Sequence, residues 1–174
     1  MLNYKSFLLI LFSCVSLEAL AQTPEAKIKE MGFELFEPSK PIANYVKAVQ
    51  TGNLVFLAGH GPSKADGSYI SGRLGDDLTV EQGYEAAQFA ALALLSSLKA
   101  EIGDLSKVKR IVKVKGMVNS TSDFYDQPKV INGCSDLLVK IFGEKGKHAR
   151  AAVGMVSLPS NIAVEIEMIV ELKD

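Results

Sequence analysis

The chain has 174 residues, 48% of them hydrophobic, with 19 Lys and Arg against 20 Asp and Glu. That length and apolar content suit one folded domain and exclude a disordered chain. A formal net charge of −1, the absence of tryptophan and the lack of a basic stripe interleaved with aromatics leave a nucleic-acid partner without electrostatic or stacking support.

Residues 1–21 read as an export signal. Lys5 ends a short positive start, residues 6–12 form an apolar run too short to span a bilayer, and Ala19-Leu20-Ala21 supplies an A-x-A cleavage site. Cleavage there predicts a periplasmic or secreted protein with no stable membrane insertion. The alternative is a lipoprotein box at residues 11–14, in which a lipidated Cys14 anchors the chain. Without Cys14 the only remaining cysteine is Cys134, so no intramolecular disulfide can form.

Residues 22–43 read as an N-terminal extension and residues 44–174 as the main domain. The composition of 24–31 predicts a short helix closed by Gly32, and Pro38 and Pro41 then mark an extended connection. Weak alternation over 45–49, a Thr51-Gly52-Asn53 turn and the apolar run 54–58 predict a β-hairpin whose second strand is interior. Gly59-His60-Gly61 end that strand with residues that allow close backbone approach.

Thr79 and Gln82 fit a capping box. The helix that follows carries Ala87, Ala90, Ala91, Leu94, Leu95 and Leu98 at helical spacing and stops at Gly103. Over 108–118, Val108, Val112, Val114, Gly116 and Val118 alternate with lysines, which predicts a strand buried on one face. A second helix opens at Asp126-Gln127-Pro128, buries Val130, Ile131, Cys134, Leu137, Leu138 and Ile141, and ends at Gly143. Cys134 on that stripe reads as a core residue rather than a nucleophile.

The C-terminal stretch reads as a second β-hairpin, with strands at 150–156 and 162–172 around a turn built from Ser157, Pro159, Ser160 and Asn161. Ile162, Val164, Ile166, Met168, Val170 and Leu172 form its buried face. Glu165 and Glu167 share the other face. They are either charges on a wet surface or, with Arg150, an anion-binding and general-base pair brought close by the hairpin. An ordinary surface ion pair between Arg150 and one of these glutamates is the plainer reading, and contributes about 0–1 kcal/mol. The element order β-β-α-β-α-β-β predicts an α+β fold with two helices packed on one face of a mixed β-sheet.

The segments NYVKAV, TGNLVFLAGHGP, VKVKGMVNSTSDF and HARAAVGMVSLPSNIAVEIEMI together resemble the RidA/YjgF family of enamine/imine deaminases, over about residues 44–172. Within it, GRLGDDLTVEQGYEAA is similar to a divergent branch. The resemblance implies a chorismate mutase-like (RidA) fold, a homotrimer whose sheets form a barrel, and ligand clefts at the subunit interfaces. It implies hydrolysis of small 2-imino acids to 2-keto acids and ammonia, with no metal or organic cofactor. By position, Arg150 holds the substrate carboxylate and Glu165 positions or activates water, so both stand as catalytic candidates. Tyr45, Gly59, His60, Asn132 and Ala152 stand with Arg150 as substrate-binding candidates.

The chemistry suits those residue types. A guanidinium fork matches a carboxylate with two charge-assisted hydrogen bonds. An imine carbon is already electrophilic, so orientation and one carboxylate of suitable pKa suffice. The chain departs from the family pattern at Ala152, where the deaminases carry Cys, and at Ala58-Gly59-His60, where they carry SGQ. His60 at a strand end is either a hydrogen-bonded structural residue or a modifier of substrate preference. His148 shares a strand face with Arg150, but two histidines and one distant cysteine make no metal site. The alternative function is a non-catalytic trimer of the cell envelope that binds small carboxylates through Arg150.

Overall fold

The computed structural model describes residues 22–38 and 43–174. The export signal, the Cys14 alternative and Pro41 lie outside the described residues. Helix α1, Pro24–Glu30, is capped by the Thr23 hydroxyl, which accepts from the Ala26 N–H, and Gly32 follows at φ 79°. Ile28 enters the main core, and Lys27 donates to the Ile141 carbonyl at 3.1 Å. The extension is therefore packed onto the domain.

Strands β1, Ala48–Thr51, and β2, Leu54–His60, form the expected hairpin around Gly52. Helix α2, Val80–Ile102, opens with the complete Thr79–Gln82 capping box and closes at Gly103, φ 83°. Its alanine and leucine stripe is fully buried. Strand β3, Val108–Asn119, leads to helix α3, Gln127–Phe142, whose predicted stripe is buried at every position. Strands β4, Ala149–Met155, and β5, Val164–Leu172, complete a sheet of order β1-β2-β5-β3-β4. The α+β class and the predicted element order hold. Helices α2 and α3 cover one face of the mixed sheet.

Two glycines let these helices meet. A Cβ on Gly133 would fall on the Tyr84 carbonyl, and one on Gly83 would lie 3.0 Å from a Val130 methyl. Gly133→Val therefore forces α2 and α3 apart. It is expected to cost about 1–3 kcal/mol, read as a lower urea midpoint at unchanged slope.

The C-terminal hairpin is not formed. β4 pairs with β3 in parallel, Val114 opposite Arg150, while β5 pairs antiparallel with β3 on its other side and with β2. Strand β3 thus lies between the two segments expected to pair. The connection is too long and too well anchored for a tight turn. Asn119 donates from its backbone to the Ala163 carbonyl and Ser120 to the Met155 carbonyl, while Leu158 and Ile162 bury with Met117. Alternation reports which residues share a face, and says nothing about which strand is the neighbour.

Val112 is a second correction. The pairing of β3 with β5 shifts between Ile111 and Lys113, so Ile111 is fully buried and Val112 only partly. A bulge moves the phase of alternation, which a strict period of two cannot anticipate.

Candidate functional site

The register of the sheet sorts the candidate residues into two groups. Residues paired across neighbouring strands point to the same face. Arg150 lies opposite Val114, itself opposite Met168, and both partners are buried on the helix-covered face. Glu165 lies opposite Met117, on the face without helices. Two strand spacings and three residues along β3 place the two Cα atoms about 14 Å apart. Within one protomer Arg150 and Glu165 stand on opposite faces, and the structure does not bring them together.

The first group surrounds Arg150. Its Nη1 donates to Asn132 Oδ1 at 2.7 Å and to Ser135 Oγ at 3.1 Å, from two positions one turn apart on α3. Its Nε and Nη2 make no hydrogen bond among the described residues. The outer edge of the guanidinium is therefore left for a planar anion. Ala152, two residues on, packs onto the core beside Gly116, whose missing side chain makes room for Ile131. Ser135 also meets His148 Nε2 at 3.0 Å, and His148 Nδ1 meets the Gly146 carbonyl at 2.7 Å. The surface spacing of His148 and Arg150 thus becomes a shared contact through Ser135, which sequence reasoning missed.

The second group surrounds Glu165. β2 carries one more residue than β5 between the Leu57–Met168 and His60–Ile166 pairs, so Ala58 and Gly59 form a bulge. Gly59 turns toward Glu165, and a Cβ there would overlap Glu165 Oε1. The glycine is needed for this close approach. Partial burial first, and Glu167 second, push the Glu165 carboxyl above the usual range, with Lys115 opposing them. A half-buried carboxylate with a raised pKa is suited to take a proton near neutral pH.

A cavity of about 390 Å³ beside this bulge is lined by Tyr45, Lys47, Gly59, His60, Lys64 and Tyr69, among others. His60 is 6% exposed, and both ring nitrogens are engaged: Nδ1 with the Ala58 carbonyl and Nε2 with Ser97 Oγ on α2, each at 2.7 Å. His60 thus ties the bulge to α2. Cys134 is fully buried, and its thiol is pushed up to about 12 by desolvation, which removes it as a nucleophile. Among the described residues no cluster of His, Cys, Asp and Glu could hold a metal ion.

Burial lowers the pKa of both His60 and His148. Below pH about 6.5 the unfolded chain therefore binds more protons than the folded one, and stability falls as the pH drops toward the folded values. Glu165 acts in the opposite sense, because its raised pKa favours the folded state at lower pH. In a Glu165→Gln background the urea midpoint should fall steadily from pH about 6.5 to 5.5, and a flat profile would show that the histidines are not held neutral.

The mixed sheet, with helices on one face, thus presents an arginine edge outward on the helix side and a partly desolvated glutamate on the other. Residues 25–172 match the family model described as "YjgF/chorismate_mutase-like, putative endoribonuclease", and the chain belongs to that family. Protein TCP17 of Trypanosoma cruzi is 41% identical over 150 residues, which are 86% of this chain and 94% of that protein. A Dermatophagoides farinae protein named 2-iminobutanoate/2-iminopropanoate deaminase is 29% identical over 136 residues, 77% of this chain and 90% of its own length. The crystal structure of Atu1372 from Agrobacterium tumefaciens, of unknown function, aligns with a TM-score of 0.80 at 42% identity, covering 86% of this chain and 92% of that one.

Proposed function

We propose that the protein hydrolyses small 2-imino acids to 2-keto acids and ammonia, in a site assembled between copies of the chain as a homotrimer. The observation that carries this reading is the division of the site. Arg150 with Asn132 forms one half and Glu165 with Gly59 the other, on opposite faces of one sheet. A second copy is the simplest source of the missing half. Support for packing comes from the face without helices, where Phe56, Val49, Val153 and Met155 are each more than a third exposed beside Lys115 and Glu167. An apolar face of that kind is suited to burial against another subunit.

In this reading the free edge of Arg150 takes the substrate carboxylate and fixes the imine carbon. Glu165 takes a proton from water as the water oxygen adds to that carbon and the C=N electron pair moves to nitrogen, and it passes that proton to the nitrogen to give a carbinolamine. Glu165 then takes the hydroxyl proton as the C=O bond forms and the C–N bond breaks, and delivers it to the departing nitrogen, which leaves as ammonia. His60 keeps the bulge in place, and Ala152 packs behind Arg150. The reading is tested by ammonia release from an imino acid generated in situ by an amino-acid oxidase. Release faster than buffer supports it, and no acceleration across several imino acids removes it.

A trimer that only binds small carboxylates would use Arg150 and leave Glu165 without a task. The raised pKa of Glu165 favours catalysis over that reading. Export is part of the proposal and rests on residues 1–21. Mass spectrometry of the mature N-terminus is expected to find Gln22 first, whereas an acylated Cys14 would establish the lipoprotein route.

A further inference from the structure

The guanidinium of Arg150 sits on an exposed edge strand, where a long side chain has many rotamers and only a few of them present a usable edge. Two contacts to α3 hold Nη1, and one of them belongs to a longer chain: Arg150 Nη1 to Ser135 Oγ at 3.1 Å, Ser135 Oγ to His148 Nε2 at 3.0 Å, and His148 Nδ1 to the Gly146 carbonyl at 2.7 Å. The polarity of each link follows from the one before it. A carbonyl only accepts, so Nδ1 carries the proton. In the neutral ring Nε2 is then a bare acceptor, and the Ser135 hydroxyl must donate to it. That turns the remaining lone pairs of Ser135 toward Arg150, which only donates. The start of the chain is itself fixed, because a Cβ on Gly146 would fall on the Leu138 carbonyl and the turn there admits only glycine without displacing α3.

We propose that Ser135 and His148 are positioning residues for Arg150, a relay of single polarity that aims the Nε and Nη2 edge at the substrate carboxylate. The inference rests on Arg150 as the carboxylate holder. Neither residue touches the reacting atoms. Their work is to remove the freedom of the guanidinium before the ligand arrives, which appears as affinity rather than as turnover. Other charges near His148 are Lys147, paired with Glu144, and Arg150 itself, whose charge adds to burial in keeping the ring neutral.

The relay has a test that needs no ligand. The chain contains only two histidines, so long-range ¹H–¹⁵N NMR of the mature protein, assigned with His60→Asn, resolves the His148 tautomer. The relay requires Nδ1–H at neutral pH, with an Nε2 shift that moves in Ser135→Ala and returns in Ser135→Thr. An Nε2–H tautomer, or an Nε2 indifferent to Ser135, overturns it. The affinity arm is calorimetry with 2-oxobutyrate. Ser135→Ala and His148→Leu should each weaken binding by about tenfold, with kcat for the imino acid within about twofold of wild type, and Ser135→Thr should retain wild-type affinity. Arg150→Ala separates the two levels. If it binds as well as wild type, the reading of Arg150 falls. If it loses binding while Ser135→Ala and His148→Leu do not, only the relay falls.

Discussion

Glu165→Gln is expected to lower kcat for imino-acid hydrolysis by about 10²–10⁴-fold, with little change in the affinity for 2-oxobutyrate. Glutamine keeps the shape and the fit over Gly59 but cannot take a proton from water. In the wild type, activity should rise with pH as the carboxyl ionises, through a midpoint above 4.5, because burial and Glu167 both disfavour the charged form. That limb should vanish from the residual activity of the variant. Gly59→Ala is the companion substitution. It leaves Glu165 chemically intact but places a methyl group where its Oε1 now lies, so it should reproduce most of the kinetic loss. Stopped-flow loss of imine absorbance measures both. A Gly59→Ala protein with wild-type turnover would mean that the observed Glu165 position is not the working one.

Arg150→Ala is expected to weaken 2-oxobutyrate binding by about tenfold to hundredfold and to raise KM by a similar factor. Arg150→Lys should recover little. A lysine ammonium is a point donor, and it cannot engage Asn132 and Ser135 through one nitrogen while offering a second, coplanar edge outward. Since Nη1 is satisfied by α3, truncation also leaves Asn132 Oδ1 and Ser135 Oγ without that donor at an exposed site, where water replaces it. The folding cost should therefore be small, and unchanged urea midpoints would separate lost binding from lost structure.

Much of this fold is written in local patterns. The buried face of β5 follows from strict alternation, the start of α2 from Thr79 and Gln82, and the stripe of α3 from apolar spacing that includes Cys134. Strand partnership was not legible. Residues 150–156 and 162–172 look like two arms of a hairpin, yet β3 inserts between them, because Asn119 and Ser120 bond to the chain on either side of the connection. That insertion puts Arg150 and Glu165 on opposite faces, an arrangement no spacing in the sequence discloses. The resemblance named Arg150, Glu165, Gly59 and Asn132, and the structure adds how they are held. Ser135 lies one helical turn from Asn132, and that spacing was the available signal for its role. Ser97 is one of many small residues on α2 and carried none.

The division of the site is the central claim, and subunit mixing tests it most directly. Arg150→Ala and Glu165→Gln proteins are co-expressed with different tags, and oligomers carrying both tags are assayed at a substrate concentration below the wild-type KM, where each parent has lost most of its activity. If each site takes Arg150 from one copy and Glu165 from another, every trimer carrying both tags has about a third of its sites, one of the three, restored to full chemistry, and activity returns accordingly. If Arg150 and Glu165 acted within one copy, every subunit would remain defective and the mixed oligomers would stay as inactive as their parents.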